Sequence, residues 1–242
     1  FDKDMARYSL KLGLPLIPHL LAQIVNSQFD RIMISNLVGY AQSGIYSFTY
    51  NIAVILQIIY QSLDNVWGTW FFQQMAHAEY TKIKQASRKY ATLIAFFAVS
   101  LMTISNEFIM LFSASAYWEG KSLALVLVEG IFFLFLYTIP VGIEYYTKHT
   151  QYMALGSILT AFLNVGLNFF GIRRYGYEAA AYTTLISYVV LFLLHWYIAN
   201  HLHKVKEVFD MKWMVALAAV VMAWGRFCRY TQEMWFIRYG VY

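Results

Sequence analysis

Residues Leu12 to Leu37 read LGLPLIPHLLAQIVNSQFDRIMISNL. The stretch is long enough to cross a bilayer, because ~20 mainly apolar residues rising 1.5 Å each span the hydrocarbon. It nevertheless carries His19, Gln23, Asn26 and Asp30, spaced four, three and four residues apart, which puts them on one helical face. Arg31 follows Asp30 directly. An ionisable group at membrane depth costs at least ~2.5 kcal/mol on insertion scales, so by default it faces a wet cavity or a partner. Pro15 and Pro18 remove backbone donors near the helix start and predict a bend. A bent, one-sidedly polar membrane helix is what a transport path requires.

Composition places the rest of the chain around that helix. Of 242 residues, 60% are hydrophobic and only 13% charged, with a mean hydropathy of +0.50. A soluble domain is about 45–50% apolar and about 25% charged. The chain therefore reads as an integral membrane protein, and its 19% aromatic content suits interfacial belts and lipid-facing surfaces. The net charge of +5 is topology information in a chain this apolar, not a nucleic-acid footprint. Cys228 is the sole cysteine, which excludes a disulfide framework and a thiol metal cluster within the sequence. The chain opens Phe1-Asp2-Lys3-Asp4 and closes at Tyr242 soon after an apolar run. It reads as a piece of a longer protein, with its last element incomplete.

Hydrophobic runs predict an all-α bundle of six to seven transmembrane helices, over residues 12–37, 45–71, 90–113, 122–144, 151–172, 177–199 and 211–227. Residues 1–200 form one lobe; residues 201–242 add a cytoplasmic linker and a further membrane helix. Turn signals fall at 39–44 and at Arg173-Arg174-Tyr175-Gly176-Tyr177. With these spans, eleven of the eighteen Lys and Arg residues lie on the side of the N-terminus and six on the other, with Arg31 between. The positive-inside rule then puts the N-terminus and the loops around 73–89 and 200–212 in the cytoplasm. His77 to Lys89 reads as a connector along the headgroups, whose basic residues set orientation or bind an anionic lipid.

Other spans repeat the polar spacing. Gln57, Gln61, Asp64 and Gly68 recur at four, three and four in the second span. Glu129 lies well inside the fourth span, where no Lys or Arg accompanies it, and Glu144 sits at its far end. The fifth span carries Ser157, Asn164 and Asn168, and the sixth Thr184, Ser187 and His195. Turned inward, these lines enclose a hydrophilic cavity in an oily bundle. The structural counterpart is interhelical hydrogen bonding, at roughly 0.6 kcal/mol each. For Asp30 with Arg31 it is an ion pair, and for His195 a hydrogen-bonded structural role. The candidate path residues are Gln23, Asn26, Asp30, Arg31, Gln61, Asp64, Glu129, Asn164 and Asn168.

Enzyme signatures are absent: the sequence contains no GxSxG, Walker loop or HExxH. His201-x-His203 is a weak metal pattern without a third ligand. The reading is a transporter without a cofactor, and not an enzyme.

Three stretches, in order, resemble a known family. Leu14-Pro15-Leu16-Ile17-Pro18, Phe29-Asp30-Arg31-Ile32-Met33-Ile34 and Gly44-Ile45-Tyr46-Ser47 resemble the start of the second half of bacterial polysaccharide flippases. Ala116-Tyr117-Trp118-Glu119-Gly120 is similar to the family's short outer loop before its tenth helix. Residues 163–168, LNVGLN, with 175–184, YGYEAAAYTT, resemble its eleventh-to-twelfth helix junction. These are the O-antigen and capsule transporters of the multidrug/oligosaccharidyl-lipid/polysaccharide exporter superfamily, and the matches cover about residues 8–200.

The resemblance implies one lobe of a two-lobe exporter, the N-terminal lobe being absent from this chain, worked by alternating access in the bacterial inner membrane. It implies a lipid-pyrophosphate-linked oligosaccharide as substrate, moved from the cytoplasmic to the outer leaflet, with a coupling ion, H⁺ or Na⁺. The family's cavity cations are scarce here, Arg31 being the one Arg or Lys deep in a span. A cation-coupled multidrug exporter of the same superfamily, using Asp30, Asp64 or Glu129, is the first alternative. A membrane polysaccharide polymerase or acyltransferase is the second, although the outer loops read here are short.

Overall fold

The computed structural model describes residues 3–202, 208–232 and 234–241. Within them the chain is helical throughout, with no strand. The elements are α1 (Lys3–Gly13), α2 (Leu16–Leu37), α3 (Tyr40–Ala76), α4 (Tyr80–Phe112), a 3₁₀ turn (Ser115–Gly120), α5 (Lys121–Tyr146), α6 (Thr150–Tyr175), α7 (Ala179–Leu202), α8 (Met211–Tyr230) and α9 (Trp235–Val241). Five of the helices are long and apolar enough to cross a membrane: α4, α5 with the 3₁₀ turn before it, α6, α7 and α8. That is the make-up of an all-α, multi-pass membrane protein. The polar faces of α2 and α3 keep them out of this set, although both exceed the length of a bilayer crossing.

Each predicted hydrophobic run falls on a helix, with three differences. The run from Leu12 is two helices, because the chain breaks at Leu14–Pro15. Pro15 sits at the N-cap of α2 with φ −67° and Pro18 in its first turn, where a missing N–H is tolerated. The prolines thus start a helix where a bend was expected. Residues 80–89 of the expected headgroup connector are the first turns of α4, leaving only 77–79 as a turn. Likewise the turn expected over 39–44 is confined to Val38–Gly39, since α3 has begun by Tyr40. Of the predicted linker, residues 203–207 lie outside the described residues, and with them His203, Lys204 and Lys206.

The hub of the bundle is α5, not α2. From Leu123 to Tyr137 every residue of α5 is buried. A helix apolar all round needs neighbours on every side, and α3, α4, α7 and α8 supply them. In contrast, α2 lies at one edge, packed chiefly on α6. Its outer face leaves Leu20, Leu21, Ile24 and Ile32 more than half exposed, a surface suited to lipid. Short turns keep sequential helices antiparallel. Between α6 and α7, Gly176 takes φ +80°, a left-handed conformation that ends α6 without a Cβ penalty.

Candidate functional site

Asp30 is fully buried, and its carboxylate gathers three other helices. Tyr46 on α3 donates its hydroxyl to Oδ2 at 2.7 Å, and Thr184 on α7 donates to the same oxygen at 2.8 Å. The amide of Asn168 on α6 donates to Oδ1 at 3.0 Å. All three donors are neutral, and among the described residues no ion pair forms at Asp30. A buried charge is stable only where hydrogen bonds replace its hydration.

The network extends along α6 and α7. Asn168 also donates to Oδ1 of Asn164 at 3.0 Å, and Asn164 donates to Ser187 Oγ at 3.3 Å. Thr183 donates to the side-chain oxygen of Asn168. Asn164, Asn168 and Ser187 have no exposed surface. The spacing of Asn164, Asn168, Thr184 and Ser187 puts all four on facing stripes, and Gly176 reverses the chain so that they meet. One turn before Asp30, Asn26 is equally buried, yet its amide nitrogen and oxygen find no partner among the described residues. Its carbonyl receives the Tyr188 hydroxyl at 3.4 Å, and Tyr188 meets Tyr50 at 3.3 Å.

An ion pair between Asp30 and Arg31, the structural alternative to a coupling role, does not form. Neighbours in an α-helix point about 100° apart. Asp30 turns inward, whereas the Arg31 guanidinium lies 4.8 Å from the Tyr50 ring centroid and donates to Gln28 at 3.0 Å. Gln23 reaches Tyr137 on α5 at 3.3 Å, toward the other end of α2.

The remaining candidates stand elsewhere. On α3, Asp64 accepts from Tyr90 at 2.8 Å, and Gln61 is exposed. Asp64 and His19 both line a cleft of about 270 Å³ walled by α2, α3 and the second half of α5. Glu129 lines a separate cavity of about 170 Å³ with Arg226 and Arg229 of α8. Its span holds no cation, but the tertiary fold brings two beside it, so it is not the isolated carboxylate expected from its helix alone. The polar lines thus converge into one sealed network around Asp30 and two clefts, rather than a single lined cavity.

Tyr46, Thr183 and Tyr188, which join this network, are not among the residues that helical spacing of polar groups singles out. The available signal was a tyrosine recurring at four-residue spacing, Tyr46 and Tyr50, on a helix opposite a buried carboxylate. Among the described residues no group of three or more His, Cys, Asp or Glu side chains is placed to hold a metal ion.

Fold and site together define a multi-pass helical membrane protein with a carboxylate-centred polar network sealed inside its bundle. Comparison of the chain with protein-family models, curated proteins and solved structures gave no match.

Proposed function

We propose that the chain is one lobe of a flippase that moves a lipid-pyrophosphate-linked oligosaccharide from the cytoplasmic to the outer leaflet by alternating access. In this reading six to seven of its helices span the bacterial inner membrane, with the N-terminus in the cytoplasm. A second, N-terminal lobe completes the path, and the protein is a transporter rather than an enzyme.

The observation that carries the ion-coupled part of the reading is Asp30, a fully buried carboxylate held by three neutral donors from three helices. Such a group binds a proton or a small cation more readily than one already paired with Arg or Lys. Loading it neutralises the interior and alters how α2 packs on α6 and α7, which is a means of coupling an ion to rocking of the lobe. Asn26, buried and unpartnered beside it, is the further polar group placed to join such a site. The choice of a sugar-lipid substrate rests on the ordered resemblance of residues 14–47, 116–120 and 163–184 to polysaccharide flippases.

The test is complementation of a deletion strain with the full-length gene while following the lipid-linked oligosaccharide. Accumulation on the cytoplasmic leaflet, relieved by the intact gene and not by Asp30→Asn, supports the reading. Normal polysaccharide with increased sensitivity to cationic dyes replaces it with the multidrug exporter, which the same buried carboxylate would serve.

A further inference from the structure

Glu144 and His195 meet in the interior, far along the bundle from Asp30. Both side chains are fully buried, and His195 Nδ1 lies 2.8 Å from Glu144 Oε1. The other oxygen of Glu144 and the other ring nitrogen of His195 have no hydrogen-bond partner among the described residues. The imidazole is fixed on two sides. Tyr137 stacks edge-on at 4.8 Å between ring centroids. On the other side His195 lies so close to α6 that a Cβ at Gly156 would fall 2.6 Å from Nε2.

The titratable groups around the pair come from each neighbouring element. α2 presents His19, which meets Ser157 of α6 at 2.8 Å. α5 presents Tyr137 and Tyr145, and Lys148 and His149 occupy the turn just beyond Glu144. On α6 the facing residues are Gly156 and Ser157, which do not titrate. The cleft lined by His19 and Asp64 also reaches Tyr137, the ring that touches His195.

With a neutral imidazole donating to an ionised carboxylate, the pair carries a net charge of −1 away from water, with one oxygen unsolvated. Such a charge is costly in a low-dielectric interior, and one added proton removes it. Nε2 faces Gly156 of α6, and Oε2 is the unpartnered carboxylate oxygen to which the added proton is assigned. We propose that Glu144 and His195 form a proton-binding site, loaded with one proton through the cleft beside His19 and Tyr137. On loading, a proton leaves water in the cleft and an Oε2–H bond forms, while His195 keeps donating Nδ1–H to Oε1. On release the same proton returns to the cleft. His195 is the positioning residue, because its donated hydrogen bond sets how readily the carboxylate gives the proton up. The site is separate from the Asp30 network and does not depend on which substrate is carried.

The test reads protonation directly. The full-length protein, labelled with ¹³C-carboxyl glutamate and reconstituted in lipid nanodiscs, is followed by infrared difference spectroscopy between about pH 5 and pH 9. A protonated-glutamate carbonyl band should appear as pH falls, and its Glu144 part should be absent from Glu144→Gln. In His195→Phe, which fills the ring's place without the donor, the carboxylate loses its stabilising bond, so the band should persist to a pH higher by about one unit or more. A wild-type protein in which no glutamate band titrates overturns the proposal without recourse to any variant. A titration identical in the wild type and Glu144→Gln, or a Glu144 band (wild type minus Glu144→Gln, which subtracts Glu129) indifferent to His195→Phe, overturns it as well.

Discussion

Asp30 and Asn168 stand 138 residues apart in the chain and share a 3.0 Å hydrogen bond in the interior of the bundle. That bond ties the edge helix α2 to α6, and Thr184 ties the same carboxylate to α7. One side chain therefore reports on the relative positions of four helices.

Replacing Asp30 separates charge from packing. Asp30→Asn keeps the shape and one acceptor, so insertion and protein level should match the parent while, under the proposed flippase function, transport is lost. Asp30→Ala leaves Tyr46, Thr184 and Asn168 with unpaired buried donors and should lower stability by about 2–5 kcal/mol. Thermal unfolding in detergent measures the second effect and surface polysaccharide the first. Normal polysaccharide in Asp30→Asn at normal protein level removes the residue from the mechanism.

Arg31 is expected to act independently of Asp30, because its guanidinium stacks on Tyr50 rather than meeting the carboxylate. Under the proposed function, Arg31→Ala should impair transport with little effect on insertion. A double-mutant cycle of Arg31→Ala with Asp30→Asn should give a stability coupling below about 0.5 kcal/mol. A coupling of several times that size would mean the two side chains do pair.

Gly156→Ala puts a methyl group where the His195 ring already lies. The ring cannot swing aside freely, since Glu144 and Tyr137 hold it. Overpacking of this kind costs about 1–3 kcal/mol, so the variant should unfold at a lower temperature than the parent. Gly166→Ala, in the interior of α6 with open space around it, is the control and should unfold at or slightly above the parent's temperature.

Sidedness can be read with single cysteines, since Cys228 is fully buried and should stay silent toward a membrane-impermeant maleimide. Lys82→Cys, in the first turn of α4, should label only after the membrane is opened. Lys121→Cys, at the start of α5, should label in intact cells. The reverse pattern would invert the proposed orientation.

Much of the architecture was legible because membrane insertion depends on quantities written locally in the chain. A run of apolar residues of sufficient length must become a helix, since its backbone polar groups have no other partners in hydrocarbon. Residues 90–113, 122–144, 151–172 and 177–199 therefore fell on helices, and the spacing of His19, Gln23, Asn26 and Asp30 correctly announced one polar face. His19, Asn26 and Asp30 on that face are buried, and Gln23 is partly so.

Pairing was not local and could not be read that way. Adjacent letters suggested Asp30 with Arg31, but consecutive side chains on a helix diverge, and Asp30 found its partners 16, 138 and 154 residues away. Glu129 looked isolated until α8 brought Arg226 and Arg229 to its cavity. Glu144 and His195, 51 residues apart, met only because α5 and α7 pack along their length. By itself the sequence determined the all-α membrane class and which faces are polar, since hydrophobic length and helical periodicity act within one segment. Only the tertiary structure decided which helix is the hub, where each carboxylate finds its donors and which polar faces are sealed, because those follow from packing between segments that the chain order does not make neighbours.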